Sequence, residues 1–219
     1  MFKVVCNTDP AFDQTWLNLL DQDPVHPIDD FKNLERRIQS DRLVYIMTVD
    51  GTPAAAIQVA LTRELPSSAV LLWKNNIESA PFEYAIFYSV FRLATAPVHA
   101  RVGGDLIFAA AADIKNKIET IRRFVTLSPI PALSKNVEAT ADREKVWAFV
   151  VTRQDPVAKF HTRNGASPLQ VWPEADPTPN RQAESYGWMA SYEYMLPNSV
   201  FESLESTQQT DLGIPVAVA

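Results

Sequence analysis

Few side chains in this sequence are equipped for chemistry, and their spacing narrows what that chemistry would be. Two of the six glycines stand together as Gly103-Gly104, inside the run Arg101, Val102, Gly103, Gly104, Asp105. A paired-glycine turn opening a helix leaves backbone N–H groups free to cradle a phosphate or pyrophosphate, and a cation at Arg101 would pair with it. The same glycines would serve equally well to form the turn and nothing more. Ser128 precedes Pro129, a pairing that fits a helix N-cap with proline at the first helical position as well as it fits a reactive hydroxyl. His161 lies between a helix start at Asp155-Pro156 and a stop at Asn164-Gly165, and taken alone reads as a helix-surface residue. Tyr192 and Tyr194 alternate on a strand, where either would pack in the core or at an edge. Ser89 sits in an aromatic-rich strand and would satisfy a neighbouring backbone group. His26, before Pro27, reads as structural, and His99 precedes the glycine pair with no role of its own.

Other chemistries are excluded by what is missing. One cysteine and three scattered histidines show no metal-ligand spacing. No GxSxG elbow supports a serine hydrolase. A net charge of −6 argues against a general binder of nucleic acid or anionic membrane, so an anionic ligand needs a local basic pocket. The single Cys6 rules out an internal disulfide and suits a reducing compartment. No apolar run approaches a membrane span, and MFKVVCNTDP is too short and polar for a signal peptide. The expectation is a soluble, cytoplasmic chain forming one domain over residues 1–219, with a disordered tail at 205–219.

The elements that must position these residues centre on Ala85–Pro131. Phe82–Leu93 suits a buried strand, and Asp105 an N-cap. Ile107, Ala111, Ile114, Ile118 and Ile121 recur at helical spacing, and Arg123–Leu127 is a strand again. This strand–helix–strand crossover implies a parallel or mixed sheet with the helix opening at the carboxyl end of the first strand. Upstream, Ala11–Leu20 and Pro27–Ser40 read as helices, the second with acids at its start and Arg36 and Arg37 near its end. Leu43–Val49, an Asp50-Gly51 hairpin turn, Thr52–Thr62 and the short run Val70–Lys74 read as a three-stranded meander. Downstream, Ala132–Lys145 is helix-like and Val146–Val151 apolar without clear period. Asp155–Gly165 is a helix, and a Pro-rich loop over Pro173–Glu184 joins strands at Leu169–Trp172 and Tyr186–Leu196.

That order resembles the GNAT fold of acyl-CoA-binding acetyltransferases, a mixed central sheet flanked by helices, in which the turn before the central helix grips the pyrophosphate of coenzyme A. Arg101–Leu106 (RVGGDL) is a loose version of that family's turn. The blocks VHPIDDFKNLERRI (Val25–Ile38), AIFYS (Ala85–Ser89), LSPIP (Leu127–Pro131), PVAKFHTRNGA (Pro156–Ala166) and SYGWMASYEY (Ser185–Tyr194) resemble, in order, the malonyl-CoA decarboxylases.

The resemblance implies a carboxy-lyase that converts malonyl-CoA, or a related malonyl thioester, to acetyl-CoA and CO₂ with no metal or organic cofactor. It implies a Ser–His dyad on Ser128 and His161, with Ser89 and Tyr194 completing the polar lining and Arg101 to Asp105 holding the coenzyme A phosphates. Ser128 would hydrogen-bond the carboxylate or thioester oxygen, and His161, with a pKa near neutrality, would supply the proton. The family's glutamate before its turn glycine falls on Arg101, a departure that keeps a GNAT-type acyltransferase as the alternative activity. The family's N-terminal helical domain has no counterpart in these residues, and its long helical insertion shrinks to Ala132–Asp155. The expectation is therefore a stripped catalytic domain acting on acyl-CoA or a carrier-bound acyl thioester, without nucleic-acid or membrane partners. A non-catalytic acyl-CoA-binding protein is the third reading, and oligomeric state stays open.

Overall fold

The computed structural model describes residues 2–27, 31–73, 77–97 and 102–195. In chain order these form β1 (Phe2–Cys6), a 3₁₀ helix (Gln14–Gln22), α1 (Phe31–Arg36), β2 (Arg42–Val49), β3 (Thr52–Thr62), α2 (Ala69–Trp73) and β4 (Tyr84–Arg92). There follow α3 (Val102–Lys117), β5 (Arg123–Thr126), β6 (Ser128–Pro129), α4 (Leu133–Asn136) and α5 (Arg143–Val151). The described chain closes with α6 (Pro156–Arg163), β7 (Ala166–Trp172), α7 (Pro179–Ser185) and β8 (Met189–Tyr194). One sheet runs β1-β2-β3-β4-β5-β8-β6, with β7 on the other side of β8. Every pairing is antiparallel except β4 with β5. That parallel pair is bridged by α3, so the strand–helix–strand unit is the centre of the molecule. Ile107, Ala111 and Ile114 of α3 pack fully buried against Ile57, Val59 and Phe87 of the sheet. The β2–β3 turn takes positive φ at Asp50 and Gly51, as a two-residue hairpin of this kind requires.

Several local expectations give way to the packing. Val70–Lys74 is not a strand: Ala69–Trp73 is the short helix α2, whose Val70 N–H is received by Ser68 Oγ. A five-residue apolar run carries no period that separates the two states, and the serine cap decides it. Helix α3 starts at Val102, so Gly103 and Gly104 lie in its first turn rather than before it, and Asp105 follows inside that turn instead of capping it. The helix also stops at Lys117, leaving Ile118 and Ile121 beyond its end. Ala132–Lys145 is not continuous. Val137 is extended, and Asp142 caps a fresh helix through Lys145 N–H that carries Val146, Phe149 and Val150 inward at helical spacing. The Pro-rich loop contains α7, started by Thr178-Pro179 and ended at Tyr186 in the left-handed region. Strand β1 is an addition, paired along β2 from Phe2↔Val49 to Cys6↔Tyr45. Arg36 and Arg37 are buried: Arg36 pairs with Asp41, and Arg37 binds Asp23, Gln58 and the carbonyl of His26. The tail, with Arg101 and His99, lies outside the described residues.

Candidate active site

Two strands that run together and then part create the site. The parallel ladder of β4 and β5 extends from Tyr84↔Arg123 to Phe87↔Thr126 and ends there. β4 continues to Arg92 against β3, with a bulge that sets Tyr88 beside the Gln58↔Ser89 pair. The other strand passes through Leu127 into β6 and follows β8. A notch opens between the two arms, with Ser89 on one and Ser128 on the other.

Helix α6 closes one wall. Its N-terminus is fixed by Asp155, whose side chain accepts from Val157 and Ala158 N–H and, with its other oxygen, from Ala132 N–H just past the Ser-Pro corner. That double anchorage points His161 into the sheet. Nε2 of His161 lies 3.0 Å from Ser128 Oγ, and Nδ1 lies 2.9 Å from Tyr194 Oη. Ser128 Oγ also lies within hydrogen-bond distance of Thr126 Oγ1, at 2.9 Å. Tyr192 lays its ring on the imidazole, centroids 4.8 Å apart and planes at 25°. The three sequence-predicted residues Ser128, His161 and Tyr194 thus form one hydrogen-bonded chain, extended by Thr126 at its far end.

Burial sets the electrostatics. His161 is 5 % exposed, and loss of water pushes its pKa down to about 3. The imidazole is neutral at physiological pH, which corrects the expectation of a near-neutral pKa: a helix position that pattern leaves on the surface is here packed under two tyrosines. Burial likewise holds the Tyr194 and Tyr192 phenols protonated, well above the ordinary range. Tyr192 Oη is buried without a hydrogen-bond partner. Ser128 is no helix cap, since it and Pro129 pair with Ala190 and Met189 of β8.

Ser89 is not joined to that chain. It sits opposite Gln58 with its hydroxyl buried and closing no hydrogen bond, facing Asp23. Asp23 is held by Gln58 Nε2, Arg37 and the N–H groups of Val25 and His26, yet burial raises its pKa.

Beside the notch lies a cleft of about 830 Å³ lined by Val90, Arg92, Val102, Gly103, Gly104, Lys159, Phe160, Arg163 and their neighbours. The glycines let α3 and α6 approach. A Cβ on Gly103 would press on the Phe160 ring at 3.2 Å, and one on Gly104 would strike the Asn164 amide. Val102, Gly103 and Gly104 therefore line the cleft as the first turn of α3, while Asp105 is exposed and outside the lining. Lys159 and Arg163, one turn apart on α6, bring cations that composition did not single out, although their own i, i+4 spacing puts them on one helix face. Arg92 contributes a third, braced on the Ala96 and Pro97 carbonyls. The Phe160 ring stands between cleft and imidazole, 5.1 Å from the latter. Among the described residues no group of three or more His, Cys, Asp and Glu is placed to hold a metal, and no helix is long and apolar enough to cross a membrane.

A mixed sheet whose central parallel strands part beside a helix N-terminus is the GNAT-like arrangement. It is shared with a GNAT-like decarboxylase, GphF, solved with isobutyryl-CoA, at a TM-score of 0.61 and 13% identity over 88% of this chain and 98% of that one. Within that class the chain belongs to the malonyl-CoA decarboxylase C-terminal-domain family, whose sequence model matches residues 14–155. The mitochondrial malonyl-CoA decarboxylase of the goose Anser anser anser is 22% identical over 84% of this chain and 50% of its own. The crystal structure of the Agrobacterium vitis malonyl-CoA decarboxylase superposes at a TM-score of 0.75, with 20% identity, over 93% of this chain and 63% of that chain. The chain thus spans about half the length of the curated relative it matches.

Proposed function

We propose that this protein decarboxylates malonyl-CoA or a related malonyl thioester to acetyl-CoA and CO₂, with Ser128 and His161 as the working pair and Tyr194 behind them. The observation that carries the reading is the 3.0 Å contact of Ser128 Oγ with His161 Nε2 at the point where β4 and β5 separate. Family membership and the adjoining cleft support the substrate class. In that cleft the first turn of α3, with Lys159, Arg163 and Arg92, suits the phosphates of coenzyme A. Arg101 and Asp105 belong to the same proposal as flanking contacts.

Breaking the C–CO₂ bond sends its electron pair into the thioester carbonyl as an enolate. The site must then stabilise an oxygen anion and return one proton to the α-carbon. Ser128 is the donor placed to meet the carboxylate or the enolate oxygen. A neutral imidazole protonated on Nε2 would pass that proton to the α-carbon as Tyr194 resupplies Nδ1, and one proton from solvent would then restore Nε2 as Nδ1 returns its own to the tyrosine. The dry surroundings that lower the His161 pKa also favour loss of a carboxylate as CO₂. Ser89, on the opposing arm, would line the acyl side of the notch.

The test is to incubate the purified protein with malonyl-CoA and follow acetyl-CoA and free thiol together. Acetyl-CoA without thiol is the expected result. Thiol release that depends on an added amine would instead establish the GNAT-type acyltransferase, and binding without turnover a non-catalytic module. Ser128→Ala and His161→Ala should each lower kcat by about 10²-fold or more with the fold intact; near-wild-type rates in both would remove the pair from the mechanism.

A further inference from the structure

The two carboxylate oxygens of Asp155 have different duties, and every group they receive is a backbone N–H, so the sense of each bond is fixed. Oδ1 caps α6, accepting from Val157 N–H at 2.7 Å and Ala158 N–H at 3.3 Å. Oδ2 accepts from Ala132 N–H at 2.9 Å, 23 positions earlier in the chain. Ala132 (φ −97°, ψ 0°) stands third in the turn Ile130–Leu133, which Leu133 N–H closes on the Ile130 carbonyl. Such a turn offers the Ala132 N–H no acceptor of its own, and Asp155 provides one. On the other side Ser128 is set by β8, where Phe124↔Tyr194 and Val125↔Glu193 of the interrupted β5–β6 strand continue in one register as Ser128↔Ala190 and Pro129↔Met189.

A cap alone does not call for this residue. Serine and asparagine cap as well as aspartate with one acceptor oxygen, and neither has to bury a charge. Asp155 is fully buried, and loss of water raises its pKa. Capping therefore does not account for the carboxylate, whereas the bond to Ala132 does: among these side chains it alone presents acceptor oxygens on both sides. We infer that Asp155 is a positioning residue for the reaction, setting the separation of Ser128 and His161 by gripping the serine corner and the N-terminus of α6 together. Chain and contacts form a closed ring. It runs from Ser128 through the turn to Ala132, across to Asp155, about 9 Å along α6 to His161, and back to Ser128 over 3.0 Å. Without the Ala132 bond α6 can shift against the corner, and a misplacement of about 1 Å costs up to about 10²-fold in rate. Asp155 does this from outside the cleft lining. The kinetic consequence rests on the proposed role of the Ser128–His161 pair; the geometric one does not.

The experiment compares the intact wild type with Asp155→Ser, Asp155→Asn and Asp155→Ala. Serine and asparagine keep the cap but bring no second acceptor to Ala132; alanine loses both. For malonyl-CoA, kcat of the folded proteins should fall about tenfold or more in all three with KM unchanged, while the urea midpoint drops furthest in Asp155→Ala. The Ala132 amide should be protected from hydrogen exchange in the wild type and exchange about tenfold faster in Asp155→Ser, where the ¹⁵N signals of the His161 ring should also move. A wild-type Ala132 amide that exchanges like a solvent-exposed one, which needs no variant to detect, would overturn the inference. So would wild-type kcat in Asp155→Ser and Asp155→Asn while Ser128→Ala is inactive, or a loss confined to KM. If Ser128→Ala and His161→Ala both retain turnover, the proposed catalytic pair falls and the ring signals decide the inference: a shift sustains it, and unchanged signals overturn it.

Discussion

Two histidines in this fold are buried neutral, and acid should find them. His161 and His26 both have pKa values lowered by burial to about 3, against an unfolded-state value of about 6.5. For a histidine whose folded pKa is depressed, the stabilisation is fully present above the unfolded pKa and is lost as pH falls from there towards the folded value. At pH 5 an unfolded chain holds both rings almost fully protonated while the folded chain holds neither. The resulting loss is about 2 kcal/mol per histidine relative to pH 7, at about 1.4 kcal/mol for each unit between the unfolded pKa and the solution pH. Together they remove about 4 kcal/mol, a large part of the 5–15 kcal/mol typical of a domain. The assay is urea unfolding at pH 7 and pH 5 of wild type and His161→Gln. The wild type should lose about 2 kcal/mol more than the variant over this interval. Asp23 and Asp155, whose raised pKa values act in the opposite sense, are present in both proteins and cancel in the difference. Equal losses in the two proteins would show that His161 is charged or solvated in the folded state and would refute the buried, neutral imidazole.

Three further outcomes follow from the same geometry. Gly104→Ala should displace the Asn164 amide, lower stability by about 1 kcal/mol and raise KM for malonyl-CoA, and adding Asn164→Ala should recover part of both in a double-mutant cycle. Tyr192→Phe keeps the ring on the imidazole and removes a buried hydroxyl that has no partner, so urea unfolding should show a gain of about 1 kcal/mol; a loss would mean that the hydroxyl is bonded. Lys159→Ala with Arg163→Ala should raise KM several-fold with kcat unchanged, and should weaken the salt dependence of KM.

The central crossover was legible because its signals are long and mutually consistent: an aromatic strand, a helix with buried Ile107, Ala111 and Ile114, and a β-branched strand. The hairpin at Asp50-Gly51 and the helix from Asp155 to Asn164 were legible for the same reason, each carrying its own stop and start chemistry. Runs of five or six apolar residues were not. Ala69–Trp73 and Val146–Val151 have too few residues to display a period, and side-chain caps at Ser68 and Asp142 decide them. The site was legible only jointly. Neither Ser128 nor His161 stands out by spacing, and a sequence separation of 33 becomes a contact only through the sheet. Thr126 had no sequence signal at all and Tyr192 only its alternation with Tyr194, since what distinguishes them is contact made across the sheet. Lys159 and Arg163 did carry one, their i, i+4 spacing within the helix that Asp155-Pro156 starts.

The single register shared by β5, β6 and β8 has a bearing on biosynthesis. Ser128 and His161 leave the ribosome well before Met189–Tyr194, the segment along which the interrupted strand is laid out. A growing chain that has reached Trp172 contains both members of the pair but lacks the template that holds the serine, supplies Tyr194 and covers the imidazole. The proposed site is therefore complete only once the last strand lies between the two that flank it.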